Sequence, residues 1–158
     1  MPKGLVLYYS RSGNTKTMAA IIAESMEKAG LPTTCKSITD VKVKDLADAD
    51  AIVVGSPTYY GRAAAPVAQL FDESVSMHGK LDGKVGAAFT SSANIGGGNE
   101  TTIGEIINML LIHGMIVQGD PQGDHYGPVS IGKPDERVRS QCARRGQRIA
   151  ELTLKLFE

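Results

Sequence analysis

The chain has 158 residues, 42% of them hydrophobic, enough to fill one core, and a single domain over residues 1–158 is the expected organisation. Its 17 basic and 17 acidic side chains cancel, which argues against nucleic acid or an anionic membrane as partner and leaves small molecules or other proteins. No apolar run is long enough for a bilayer span or a signal peptide, and Cys35 and Cys142 have neither metal-ligand nor redox spacing, so a cytoplasmic protein with reduced thiols and no metal site is expected.

Residues 4–9 are a short apolar run rich in Val, Leu and Tyr, followed by a Ser/Gly/Asn cluster and then a helical pattern. Met18, Ile21, Ile22 and Met26 share one face of that helix, and Gly30 with Pro32 ends it. Residues 33–38 read as a second strand, 43–47 as a short helix or turn, 51–55 as a strongly apolar third strand and 63–72 as a helix. A fourth strand follows at 84–89, a helix at 100–112 and a fifth strand at 115–118. The closing helix, 135–156, turns Val138, Cys142, Ile149, Leu152 and Leu156 inward. Apolar strands alternating with helices predict an α/β fold whose parallel sheet is covered on both faces, with ligands bound beyond the carboxyl ends of the strands. Residues 119–133, rich in Gly and Pro, form one long irregular stretch, of the kind that is functional or mobile.

If the first, third and fourth strands are neighbours, three unusual loops meet at one sheet edge. The first is Ser10-Arg11-Ser12-Gly13-Asn14-Thr15. Its hydroxyls and the backbone N–H groups at the helix start suit a phosphate, and Gly13 permits the tight turn. The competing reading is that Ser12 or Asn14 only caps the helix. The second, Ser56-Pro57-Thr58-Tyr59-Tyr60-Gly61-Arg62, sets two aromatics beside a glycine in a chain that is only 5% aromatic. They either lie against a flat ring or pack on the next helix. Arg62 is open between the edge of a bound ring, an anionic donor and solvent. The third loop runs Ser91-Ser92-Ala93-Asn94-Ile95-Gly96-Gly97-Gly98; it either brings backbone polar groups close to a ligand or is a flexible turn. Together the loops describe a phosphate end, a flat middle and a hydrogen-bonding rim, the layout of FMN. Residues 127–134 satisfy most of the GxxxxGK[ST] pattern, but Pro134 stands where the magnesium-binding hydroxyl belongs, so nucleotide hydrolysis is not expected.

The first loop fits the flavodoxin signature [ST]-x-[ST]-G-x-T at every fixed position. The chain resembles the flavodoxin family over nearly its whole length. More narrowly it is similar to the WrbA-type branch of NAD(P)H:quinone oxidoreductases, through Leu7-Tyr8-Tyr9-Ser10, Gly55-Ser56-Pro57-Thr58-Tyr59-Tyr60-Gly61, Gly96-Gly97-Gly98-Asn99-Glu100-Thr101-Thr102 and His113-Gly114-Met115. The resemblance implies a flavodoxin-like three-layer sandwich, its five-stranded parallel sheet in the order 2-1-3-4-5, with FMN as cofactor. It implies that Ser10, Arg11, Ser12, Gly13, Asn14 and Thr15 hold the FMN phosphate, and that Thr58, Tyr59, Tyr60 and Gly61 contact the isoalloxazine. Ser91, Ser92, Ala93, Asn94, Ile95, Gly96 and Gly97 match the stretch that lines the flavin, with the segment 93–95 one residue longer than the family pattern. His113 matches a histidine near the flavin of a neighbouring subunit; from the residues alone it reads equally as a C-terminal helix cap. The branch carries an insertion between the third helix and the fourth strand that helps build a tetramer and the nicotinamide and quinone cleft, and here residues 74–79 are short. Classical electron-carrier flavodoxins are acidic and place acidic residues after the second loop, where this chain has Arg62-Ala63-Ala64.

The loops contain no Cys/His, Ser/His/Asp or paired-carboxylate constellation, so no residue is expected to act as a catalytic group and the chemistry belongs to the cofactor. Gly61 is expected to let its peptide reorient as the flavin is reduced. Three functions remain open: an electron carrier between redox partner proteins, an NAD(P)H:quinone reductase, and a flavin-free binding module. A homo-oligomer, by family a dimer, is expected.

Overall fold

A parallel sheet buried on both faces is what this alternation of apolar runs and amphipathic segments dictates, and it is what forms. The computed structural model describes residues 1–158. In chain order the elements are β1 (Gly4–Tyr8), α1 (Asn14–Lys28), β2 (Thr33–Ser37), α2 (Val43–Ala47), β3 (Ala51–Tyr59), β4 (Arg62–Ala63), α3 (Ala65–Glu73), β5 (Val85–Ser92), α4 (Asn99–Ile112), β6 (Ile116–Val117), β7 (Val129–Ile131) and α5 (Glu136–Phe157), with 3-10 turns at Ile38–Asp40 and Ser74–Met77. The main path of the sheet is β2-β1-β3-β5-β6, all parallel. Counted along these five strands, that is the expected order 2-1-3-4-5.

Side chains alternate across the sheet and build two cores. On one face Val6, Val53, Ala87 and Phe89 pack with Met18, Ile22 and Met26 of α1 and with Val138, Cys142 and Ile149 of α5. On the other, Leu7, Ile52, Val54 and Ala88 pack with Leu46 of α2, Val67 and Leu70 of α3, and Ile103, Ile106 and Leu110 of α4. Burial pushes the Cys142 thiol up to about 12, so the group is an inert part of the core.

The sheet departs from the expected one in three places. β3 runs to Tyr59 and β5 to Ser92, so Thr58, Tyr59, Ser91 and Ser92, read as loop, lie on strands. Their polarity hid this: the Thr58 hydroxyl donates to Thr90 Oγ1 at 2.8 Å, and Thr90 donates in turn to the Ser56 carbonyl at 2.6 Å. Beyond β3 the chain turns back at once into β4, an antiparallel hairpin pairing Tyr59 with Arg62, where the sequence pattern suggested the start of a helix. The fifth strand is divided. β6 pairs with the start of β5, the chain leaves the sheet, and β7 returns to pair with Thr90, Ser91 and Ser92 at its end.

The excursion between β6 and β7 is fastened to α5 by arginines. Arg145, 3% exposed, donates to the carbonyls of Gln118 at 2.7 Å and Asp124 at 3.1 Å. Arg144 makes a bidentate pair with Asp120 at 2.7 and 2.9 Å, and Arg148 donates to Gly119 O at 2.9 Å. Arg137 joins Asp124 to Val129 O, and Asp124 accepts from Val129 N. The long Gly/Pro stretch is therefore tied down, and its ties set the position of β7.

Candidate functional site

The carboxyl ends of β1, β3 and β5 lie side by side, and the chain leaving them encloses an open cleft of about 440 Å³, within the size range of small-molecule sites. Arg11, Ser12, Asn14 and Thr15 come from the first loop, Pro57, Thr58 and Tyr59 from the end of β3, and Ser91, Ser92 and Ala93 from the end of β5. Gly132, just past β7, completes the wall.

One end of the cleft is lined by backbone N–H groups. Gly13 takes a left-handed φ of 99° before α1, and no side chain caps that helix. Its amide donates to Ser10 Oγ at 3.1 Å, while the amides of Ser12, Asn14, Thr15 and Lys16 have no acceptor in the protein. Several convergent N–H groups without partners at a helix N-terminus are what an anion requires. The capping reading of Ser12 and Asn14 is therefore not what the geometry shows. Thr15, 2% exposed, bonds Ser91 Oγ at 2.9 Å and joins this end of the cleft to β5.

The middle of the cleft is aromatic. Arg11 lies over the Tyr59 ring, 5.5 Å from its centroid, and Tyr9 meets Tyr59 edge-on at 6.5 Å, both favourable quadrupole arrangements. Tyr59 is thereby braced as a flat wall. Tyr60 is different: it stands in the hairpin turn at φ 53°, fully exposed, and does not line the cleft, nor does Gly61. Arg62 is exposed and in no ion pair.

The glycine-rich segment forms the outer rim. Ser92 Oγ donates to Asn94 O at 3.1 Å, Gly97 N donates to Asn94 O at 3.2 Å, and Asn94, Ile95 and Gly96 are exposed. These three and Gly97 border the site rather than line it. The oxygen-rich cleft with a free N–H nest and one aromatic wall fits the phosphate and flat-ring ends of FMN. Nothing in it gathers metal ligands.

His113 is not brought to this cleft. α4 starts beside it and runs the length of the sheet, so His113, at its C-cap, lies near the start of β5, where Gly83 N donates to Gly114 O. There it is buried, with Nε2 2.7 Å from Ser74 Oγ and its ring near Phe71 and His78. Ser74 spends its proton on Phe71 O, so the histidine donates from Nε2 and leaves Nδ1 without a partner. Burial, with His78 adding to it, lowers its pKa, which disfavours the charged helix cap read from sequence.

Gly132, Thr101 and Glu105 were not foreseen. Gly132 belongs to the stretch that mimics a nucleotide loop, and only its pairing to Ser92 O, through a 2.8 Å amide bond, shows its place. Thr101 and Glu105 look like ordinary α4 surface residues. Thr101 Oγ1 reaches Gly61 O at 2.6 Å, and Glu105 accepts from Ala63 N at 2.7 Å.

Comparison with known proteins gives the same picture from another direction. A flavodoxin-domain family model matches residues 5–100, from β1 to the start of α4. A protein named flavodoxin from Aquifex aeolicus is 38% identical over 160 aligned residues, covering 96% of this chain and 86% of the relative. An NAD(P)H dehydrogenase (quinone) from Gluconacetobacter diazotrophicus is 34% identical, covering 99% of each. That second alignment runs over 197 residues against a chain of 158, so at least 39 of its positions have no counterpart here. Among solved structures, a WrbA-like flavodoxin from Agrobacterium tumefaciens superposes with a TM-score of 0.84 at 25% identity, covering 99% of both chains.

Proposed function

Since the chain belongs to the flavodoxin family, we propose that it is a single-domain FMN protein of the cytoplasm that carries electrons between redox partner proteins. Bound FMN supplies the electron-accepting ring, and the protein's part is to hold and orient it. The observation that carries the reading is the pairing of an uncapped helix N-terminus, with four free amides, and the braced Tyr59 ring in one cleft.

In this reading Ser10, Ser12, Thr15 and the amides around Gly13 and Asn14 hold the phosphate, and Arg11 covers Tyr59. Thr58, Tyr59, Tyr60 and Gly61 border the ring on one side, and the segment from Ser91 to Gly97 supplies polar backbone on the other. No side chain in the cleft is suited to act as nucleophile or general base, so turnover depends on the partner that gives or takes electrons. No helix is long and apolar enough to cross a membrane.

The second reading is an NAD(P)H:quinone reductase, favoured by the similarity to the Gluconacetobacter dehydrogenase. The carrier reading gains from the 39 or more positions missing against that relative, because a nicotinamide and quinone cleft needs walls beyond those of the flavin site. The apolar Leu111, Ile112 and Ile116 exposed beside His113 support it as the family's histidine at a neighbouring subunit's flavin. A dimer belongs to that second reading.

Titration of the apoprotein with FMN, followed by quenching of flavin fluorescence, tests the cofactor. Saturable quenching at one flavin per chain is expected, and unquenched flavin overturns the proposal. Anaerobic mixing of the loaded protein with NADH and with NADPH then separates the two functions. A flavin left oxidised by both nucleotides, yet reduced in two resolved one-electron steps by potentiometry, marks the carrier. Rapid bleaching with reoxidation by benzoquinone marks the reductase.

A further inference from the structure

The hairpin between β3 and β4 turns on two residues, Tyr60 and Gly61, with φ 53° and 74°. Positive φ at both central positions is the mirror-image turn that suits a hairpin's twist, and it favours Asn, Asp and Gly. Tyrosine is costly in the first place, and its fully exposed ring makes no packing contact to offset that cost. Something outside the turn must hold it.

The support comes from α4. Thr101 Oγ1 lies 2.6 Å from Gly61 O and 2.9 Å from Gly98 O, but a hydroxyl has one proton to give. The Gly98 carbonyl already accepts from Thr102 N at 3.0 Å and Thr102 Oγ1 at 2.9 Å, so the Thr101 proton belongs on Gly61 O. No other donor reaches that carbonyl. Gly98, at φ 97°, makes the approach possible, since a Cβ there would collide with Gly61 Cα. Glu105 holds the hairpin lower down, at Ala63 N.

We propose that Thr101 is a positioning residue of the cofactor site: its hydroxyl latches the Gly61 carbonyl to the first turn of α4 and thereby sets the hairpin that carries Tyr59 and Tyr60. For its effect on FMN the inference rests on the function proposed above; the latch itself is a property of the free chain. It links the hairpin to the start of α4, beyond the β3–β5 pairing that already joins Pro57 to Ser91. The peptide following Gly61 is then restrained toward α4, and any reorientation on flavin reduction has to break the Thr101 bond first.

Thr101→Val removes the hydroxyl and keeps the branched shape, while Thr101→Ser keeps the hydroxyl. Three quantities are read for each: the FMN dissociation constant, the midpoint potential of bound FMN, and the rate of tryptic cleavage after Arg62 in the apoprotein, with apoprotein melting as control. For Thr101→Val we expect about tenfold weaker FMN binding, a shifted potential and several-fold faster cleavage, at nearly unchanged melting temperature. Thr101→Ser should stay within about twofold of wild type on all counts. Wild-type values in Thr101→Val, or changes that merely track a lowered melting temperature, overturn the latch. If wild-type protein fails to bind FMN while Thr101→Val still speeds cleavage after Arg62, the latch stands and the proposed function falls.

Discussion

Thr15 Oγ1 and Ser91 Oγ lie 2.9 Å apart, a hydrogen bond between two buried hydroxyls that spans 76 positions of sequence and ties the first turn of α1 to the end of β5. It fixes the width of the cleft at the end lined by the free amides of α1. Ser91→Ala leaves the Thr15 hydroxyl without its partner and should cost about 1 kcal/mol of apoprotein stability. In Thr15→Val with Ser91→Ala the costs should not add, because one bond is lost twice. Urea denaturation of the two single variants and the double variant measures this, and strictly additive losses would show that the pair is not coupled.

The Arg144 guanidinium beside Asp120 holds that carboxyl far below the usual carboxylate range, and its burial only partly opposes this. With the folded-state pKa depressed, the stabilisation is complete above about pH 4, where the unfolded chain takes up its proton, and is lost as the pH falls further. Asp120→Asn breaks the pair that fastens the β6–β7 excursion, and at pH 7 should lower the melting temperature by about 5 °C. The gap between the melting curves of the two proteins, followed from pH 7 to pH 3, should hold down to about pH 4 and begin to narrow below it. A gap that stays constant across the range would remove Asp120 as its source.

The strand–loop–helix at residues 4–28 was legible because it depends on runs of apolar residues with a clear period, whereas the order of the main strands came from the resemblance to the flavodoxin family and not from any period. The tight turn at Gly13 and the uncapped start of α1 were legible because Gly13 and the small hydroxyl residues leave few other conformations. What could not be read depends on partners distant in sequence. Thr58 and Ser91 look like loop residues until their hydroxyls are seen paired, Thr58 with Thr90 on the neighbouring strand and Ser91 with Thr15 of α1. β7 has three residues, too few for any period, and stays in place through Arg137, Arg144, Arg145 and Arg148, which in sequence look like the solvent face of an amphipathic helix. His113 sits in a motif beside glycine-rich loops, yet α4 carries it to the far end of the sheet.

At that far end His113 titrates against its surroundings. Its folded-state pKa is lowered, first by burial and then by His78, so the unfolded chain binds a proton near pH 6.5 that the folded protein resists. Stability is therefore full above about pH 6.5 and declines below it until the folded-state pKa is reached. In His113→Gln, whose amide can still donate to Ser74, this decline should vanish. Denaturation midpoints between pH 7.5 and 5 compare the two proteins, and equal slopes would assign the decline to another group.

Two helical glycines test whether packing or helix propensity decides. At Gly104 in α4 an added Cβ meets nothing within 4 Å, so Gly104→Ala should gain up to about 1 kcal/mol from propensity alone. At Gly146 in α5 the same atom would lie 2.5 Å from Ile22 O and 2.8 Å from Ser25 Cβ of α1. The first of these is backbone and cannot rotate away, so α5 has to lift off α1. Overpacking of this kind costs about 1–3 kcal/mol, which cancels or exceeds the propensity gain, and Gly146→Ala should be destabilising by about 1 kcal/mol net. Opposite signs for the two variants in denaturant titrations are the expected result. A stabilised Gly146→Ala would mean that the α1–α5 contact is looser than these distances require.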